Sequence, residues 1–181
     1  MIFETQRLIL RPFQKSDVAS FVAYRSDPEI ARYQGWDAPY PVERAVAFIE
    51  KMQQSAPGTE GNWYQFAVEL KQTGAMIGDC AFHTLPDDKR LAAIGFSFAR
   101  SYQGVGYATE AVQRMLAYMF ADLNLHRVQA ICDVENTASA RLLERVGMRR
   151  EAHFVENVWF KGAWGSEYLY AILQYEWLTL E

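Results

Sequence analysis

Ala108, Ala111, Val112, Met115, Leu116, Met119, Phe120 and Leu123 recur at offsets of 0, 3, 4, 7, 8, 11, 12 and 15. That spacing predicts an amphipathic helix of about four turns. The residues before it, Ala92 to Ala99, and after it, Arg127 to Val134, read as strands. A strand, a long helix and a second strand form a crossover unit, and such a connection makes the two strands parallel. No other segment of the chain carries so strong a periodic signal, so the rest is arranged around it.

Upstream, Leu8 and Leu10 alternate with Arg7 and Arg11, a strand stopped by Pro12. Ser16 or Asp17 can cap a helix from Val18 to about Arg25, and Asp27-Pro28 seeds a short helix through Ile30 to Tyr33. The loop from Gly35 to Pro41 is rich in breakers and aromatics. Val42 to Met52 is amphipathic, and Ser55 to Gly61 breaks it. Tyr64 to Leu70, Ala75 to His83 and Ala92 to Ala99 read as a three-strand antiparallel meander, with turns at Lys71–Gly74 and Pro86–Lys89.

Downstream, Asn136 can cap a helix from Thr137 to Val146, with Gly147 as its stop. Phe154 to Phe160 and Tyr168 to Tyr175 read as two more strands about a turn at Lys161–Gly165. The expected fold is α+β: a single mixed, mostly antiparallel sheet of about seven strands, with about four helices on its faces. No repeat or linker divides the 181 residues, so one domain over 1–181 is expected.

Composition narrows the function classes. Half of the residues are hydrophobic and 22% are charged, which excludes a disordered chain. Lys+Arg 18 against Asp+Glu 22 gives a formal charge of −4, with no basic run longer than Arg149-Arg150. Nucleic-acid binding and a polybasic membrane contact are therefore not expected. No apolar stretch is long enough to span a bilayer, and the first residues show no basic segment followed by an apolar run. Cys80 and Cys132 sit in apolar runs and read as buried free thiols. A reducing cytoplasm is the expected location. His83, His126 and His153 lack ligand spacing, so no metal is expected.

The chemistry is concentrated where the meander meets the long helix, in Tyr102-Gln103-Gly104-Val105-Gly106-Tyr107-Ala108-Thr109. Two glycines let the backbone turn tightly and approach a ligand. The first helical N–H groups have no intrahelical partner, and the helix dipole adds positive character. Together they form a phosphate site that needs no basic side chain. A plain glycine turn has the same spacing. A Walker loop fails for want of Gly-Lys-Ser/Thr after Gly104. A dinucleotide fingerprint lacks its third glycine at Thr109, although Asp133 or Glu135 supplies an acid after the next strand. Roughly 90 residues precede the loop and too few follow it for a doubly wound sheet.

The order Gln103-x-x-Gly106-x-Ala108 is similar to the coenzyme A pyrophosphate loop of the GNAT acetyltransferase superfamily. Thr5-Gln6-Arg7-Leu8-Ile9-Leu10-Arg11 resembles the opening of the branch that acetylates ribosomal-protein N-termini. So do Ile94-Gly95-Phe96, Tyr107-Ala108-Thr109-Glu110-Ala111, and Asn136-Thr137-Ala138-Ser139 followed by Gly147-Met148. The likeness runs from about Thr5 to Trp177.

The resemblance implies acetyl-CoA as co-substrate and an amine acceptor. It implies that amides of Gln103, Gly104, Val105, Gly106, Tyr107, Ala108 and Thr109 hold the pyrophosphate. Phe96, Ser97 and Phe98 would pair with the pantetheine arm along a splayed strand edge, opposite Ala130 to Val134. An N–H near Phe98 would bind the oxyanion. Asn136 would touch the pantetheine arm, and it is also a helix cap by its own sequence context. In the ribosomal-protein branch the serine matching Ser139 is proposed to protonate the departing thiolate; Leu143 stands where many relatives carry a tyrosine and cannot donate a proton, so Ser139 or a water would serve. Glu156 is the candidate base, with Glu110, Asp133 and Glu135 as rivals.

Tyr33, Trp36 and Tyr40 would wall one side of the acceptor site. Trp159, Phe160 and Trp164 would form the other side or a subunit contact, which is compatible with a homodimer. Three functions stay in view: acetyl transfer to a primary amine, non-catalytic sensing of acyl-CoA, and a dinucleotide-dependent reductase. The acceptor's identity, a protein N-terminus or a small amine, is not legible in the residues.

Overall fold

In a computed structural model, which describes residues 1–58 and 62–179, the crossover unit sits inside one mixed sheet. Its strands are β1 (Phe3–Glu4), β2 (Leu8–Arg11), β3 (Tyr64–Leu70), β4 (Ala75–Leu85), β5 (Asp88–Phe98), β6 (Arg127–Asp133), β7 (Arg149–Phe160) and β8 (Ala163–Leu173). Their spatial order is β1-β2-β3-β4-β5-β6-β8-β7. Among the described residues only β5 and β6 pair parallel, as the crossover requires.

The helices are α1 (Val18–Arg25), α2 (Pro28–Ala31), α3 (Val42–Gln54), α4 (Tyr107–Ala117), α5 (Thr137–Arg145) and α6 (Gln174–Trp177). The periodic run continues past α4 through a π-helical turn at Tyr118–Asp122, where the Leu123 amide donates to the Tyr118 carbonyl. Among the described residues no helix is long and apolar enough to cross a membrane.

Alternation along the strands divides the core in two. Phe66 and Val68 of β3 pack in a cluster with Val112, Met115 and Leu116 of α4 and Leu142 of α5. Ala67, between them, faces the other way, into a cluster of Phe21 and Tyr24 from α1 and Ala45, Ile49 and Met52 from α3. Helices therefore cover both faces. The parallel crossover lies on one face and the N-terminal helices on the other.

The structure corrects several element boundaries. β1 is only two residues long, too short for any periodic signal, yet its Phe3 is buried. β7 starts at Arg149 rather than Phe154, because an exposed edge strand needs no apolar alternation. The tail turn is only Lys161-Gly162, with φ of 49° and 87°. Two successive positive φ values are what a tight two-residue hairpin turn requires. The last strand ends at Leu173, whose amide donates to the Glu176 carboxylate at 2.8 Å, and α6 begins there. Among the described residues the count is eight strands and six helices, against the expected seven or so and four or so. Residues 59–61 of the expected Ser55–Gly61 breaker lie outside the described residues.

Gly78 of β4 shows how closely β5 approaches. A Cβ there would lie 2.4 Å from the Ser97 carbonyl oxygen and 2.9 Å from the Phe98 Cα. Both are backbone atoms, so β5 itself would have to move. Gly78→Ala is expected to cost about 2 kcal/mol and to lower Tm by roughly 4 °C in a thermal melt. Gly35→Ala, with nothing within 4 Å of the new methyl, should leave Tm unchanged. Equal melts for the two variants would contradict this packing.

Candidate active site

The parallel ladder between β5 and β6 lasts only from Leu91–Arg127 to Ala93–Gln129. Beyond it β5 stays on β4 as far as Phe98, while β6 stays on β8 as far as Asp133. The two strands therefore diverge, each held by its other neighbour. The Ala99 amide donates to the Ile77 carbonyl at 2.9 Å, on the β4 side. By the two-residue alternation of an antiparallel ladder, Ser97 and Gly95 share that side. Phe96 and Phe98 then direct their N–H groups to the open side. A cavity of about 170 Å³ fills the gap. Ile94, Gly95 and Phe96 line one wall, and Ala130, Ile131, Cys132 and Asp133 the other. Asn136, Ser139 and Leu143 of the α5 region also line it, as do Tyr33 and Gln34 and, from the β7–β8 hairpin, Val158, Phe160 and Glu167.

Next to this cleft the glycine loop enters α4. Gly104 and Gly106 have φ of 78° and 88°, a region costly for any residue with a Cβ. No side chain caps the helix. Its first intrahelical bond is Glu110 N–H to the Gly106 carbonyl, so the amides of Tyr107, Ala108 and Thr109 are left without helical partners.

The loop is held in shape from outside. The Arg7 guanidinium donates to the Val105 carbonyl at 3.0 Å and to Glu110 Oε2 at 2.7 Å, and lies 4.5 Å from the centre of the Tyr107 ring. Glu110 Oε1 accepts from the Thr5 hydroxyl at 2.5 Å and the Arg7 amide at 2.8 Å. Burial pushes the Glu110 carboxyl up, but the bonds from Thr5 and Arg7 outweigh it and hold it below the usual carboxylate range. The Gln103 side chain donates to the Phe98 carbonyl at 2.8 Å and so ties the loop to the end of β5.

A splayed parallel pair beside unpaired amides at a helix start is the geometry expected of a carrier with a phosphate end and an extended arm. The family model for the acetyltransferase (GNAT) domain matches residues 7–149. The chain belongs to the GNAT acetyltransferase family.

An N-acetyltransferase of Bacillus subtilis, YnaD, described as uncharacterized, is 35% identical over 98% of this chain and 99% of its own length. The crystal structure of a GNAT-family acetyltransferase from Bacillus anthracis superposes with a TM-score of 0.87 at 32% identity, covering 97% of this chain and 99% of that one. The spermidine N-acetyltransferase of Vibrio cholerae, solved in complex with CoA and spermine, superposes with a TM-score of 0.78 at 25% identity, covering 96% and 99%.

Within this GNAT chain the residues singled out from the sequence do not all meet. Phe96, Asn136 and Ser139 line the cavity. Ser97 and Phe98 are buried and continue the same strand. Asn136 caps α5 through its side chain, whose Oδ1 accepts from the Ser139 amide at 3.1 Å. The cap uses only that oxygen, so the Nδ2 donors take no part in it.

The four carboxylates separate clearly. Glu110 is committed to Thr5 and Arg7 outside the cleft. Glu135 is exposed and pairs with Arg32 at 2.8 Å. Glu156 is exposed in the bulge of β7 between Phe154 and Val158, with φ of 46°, and does not line the cavity. Asp133 does line it.

Asp133 has a companion that sequence reasoning missed. Glu167 is its register partner on β8 and lines the same cavity. The signal was the pairing of the tail strand with β6, which becomes visible only once the sheet order is known. Glu167 accepts from Asn157 Nδ2 at 2.6 Å, and Asp133 Oδ1 accepts from the Glu135 amide at 2.8 Å. Among the described residues no lysine, arginine or histidine lines the cavity.

Of the residues expected at the acceptor walls, Tyr33 and Phe160 line the cavity. Trp36 and Tyr40 instead pack around the buried Arg25 guanidinium, 4.0 and 5.4 Å from their ring centres. Trp159 and Trp164 meet edge-to-face, 5.5 Å between ring centres, both exposed. Cys132 borders the cavity, and burial, with smaller help from Asp133, Glu167 and Glu144, pushes its thiol up to about 11.

Proposed function

We propose that this GNAT chain moves an acetyl group from acetyl-CoA to a primary amine by direct attack in a ternary complex. The observation that carries this reading is the divergence of β5 from β6 after Ala93 and Gln129, which leaves Phe96, at the cavity, and Phe98, two residues on, without a β6 partner. The amides of Gln103 to Thr109 would hold the pyrophosphate, with the helix dipole adding to the attraction. The edge from Phe96 to Phe98, which β6 does not pair, would pair with the pantetheine arm. The Phe98 amide would then stabilise the oxyanion, a contribution of roughly 3–4 kcal/mol for one such donor.

The attacking amine must be neutral, whereas free α-amino groups titrate near 8 and lysine near 10.4. Asp133 with Glu167, directly or through water, would take the amine proton, a role supported by both carboxylates lining the cavity. The nitrogen forms its bond to the carbonyl carbon and the carbon–sulfur bond breaks. Ser139 passes a proton to the departing sulfur and recovers one from the carboxylate. The net transfer is then one proton from amine to thiol. Leu143 is buried at the cavity wall and has no proton to give, whereas Ser139 lines the same cavity, which supports Ser139, or a water beside it, in this step. This reading prefers the cavity carboxylates to Glu156 as the base.

Thiol release monitored against spermidine, tyramine and short peptides beginning with Ser or Ala tests the proposal. Acceptor-dependent release is expected. Tight binding of acetyl-CoA with no release on any amine would make the chain a sensor, and calorimetric binding of NADH in place of acetyl-CoA would end the reading altogether. A covalent route through Cys132 is disfavoured, because a thiol titrating at about 11 is protonated at neutral pH. Cys132→Ala should accordingly keep more than about a tenth of the activity. A thousandfold loss with an unchanged circular dichroism spectrum would reinstate the cysteine.

A further inference from the structure

We propose that Lys161 is a positioning residue that sets the acceptor wall of the cleft. Lys161 stands at the tip of the β7–β8 hairpin with φ of 49°, a left-handed conformation that asparagine or glycine adopts at less cost. Its side chain gives that position a purpose. The ammonium donates to the Ala31 carbonyl at 2.7 Å and to the Trp36 carbonyl at 2.6 Å. These two carbonyls bracket Tyr33 and Gln34, the residues of that loop that line the cavity. On its own side Lys161 directly follows Phe160, which lines the same cavity.

One ammonium thus joins the two walls that come from opposite ends of the chain. The Asp37 carboxylate, 3.4 Å away but 91% exposed, adds little. The neighbouring Arg32–Glu135 pair is similarly exposed and weak. Below the loop, the Trp36 indole donates to the Arg25 carbonyl at 3.0 Å. That contact anchors one end of the segment, and Lys161 ties the same segment across the opening. The spacing between Tyr33-Gln34 and Val158-Phe160, and hence the girth of amine admitted, is set by this tie.

The inference rests on the acetyl-transfer reading, and its test separates the two. Lys161→Met and Lys161→Arg are compared with the parent protein, using whichever of spermidine, tyramine or Ser-Ala-Ala turns over fastest in the parent. Lys161→Met should raise the acceptor KM about tenfold, with kcat within about threefold and acetyl-CoA affinity unchanged, since only ground-state seating of the acceptor is lost. Lys161→Arg should recover most of that affinity, because it keeps the donors. In parallel, amide hydrogen exchange over residues 32–37 should quicken about tenfold in Lys161→Met.

Unchanged exchange, or faster exchange with an unchanged acceptor KM, would overturn the proposal while leaving acetyl transfer intact. A parent protein inactive on every amine would instead fail the acetyl-transfer reading. Exchange would then still decide whether the tie exists.

Discussion

Replacing Gly106 by valine is expected to weaken acetyl-CoA binding by at least about a hundredfold, close to 3 kcal/mol. Three effects add. At φ of 88° any Cβ is strained, and a branched one more so. The added carbon would sit 3.2 Å from Arg7 Nη2 and push that side chain away. The same guanidinium holds the Val105 carbonyl and Glu110, so moving it also loosens the loop whose amides would bind phosphate.

Gly104→Ala makes the informative comparison. Its φ of 78° is strained too, but nothing lies within 4 Å of the new methyl. Its loss should be about tenfold, from strain alone. Titration calorimetry with CoA on both variants, with melting curves to confirm folding, decides the matter. Equal affinities for the parent and Gly106→Val would remove the loop from the binding site.

The second large effect is expected at Asp133. Asp133→Asn should lower kcat by about a hundredfold or more, the usual contribution of a positioned base, while acetyl-CoA affinity stays within about twofold. Glu167→Gln should show a smaller fall in the same direction, because the two carboxylates face each other across the β6–β8 ladder. Glu156→Gln should leave kcat within about threefold, since that side chain stands outside the cavity. Steady-state kinetics on the three variants form the measurement. A collapse of kcat in Glu156→Gln with a near-normal Asp133→Asn would transfer the role of base to the bulge of β7. It would also require the hairpin to move when substrates bind.

The residues behind these predictions were unequally legible. Gly104, Gly106 and the helix after them could be read directly, because backbone freedom and helical period are local properties. The role of Thr5 and Arg7 could not. Their partner Glu110 lies more than a hundred positions away, and only the placement of α4 against β2 brings them together. Gln103 is part of a recognisable motif, yet its bond to the Phe98 carbonyl shows that it fastens strand to loop. Glu156 was the carboxylate suggested by likeness in sequence. A bulge turned it out into solvent, and no pattern in the chain announces a bulge there.

The order of residues alone determined the crossover unit, the antiparallel meander, the buried cysteines and the glycine loop that opens the long helix, because each depends on periodicity or backbone chemistry within a short window. Tertiary structure alone decided where the parallel strands part, that Asp133 meets Glu167, and that Lys161 reaches Ala31 and Trp36. Those features arise from strand order and from contacts between opposite ends of the chain. A one-dimensional pattern carries no record of which distant segments will share an edge.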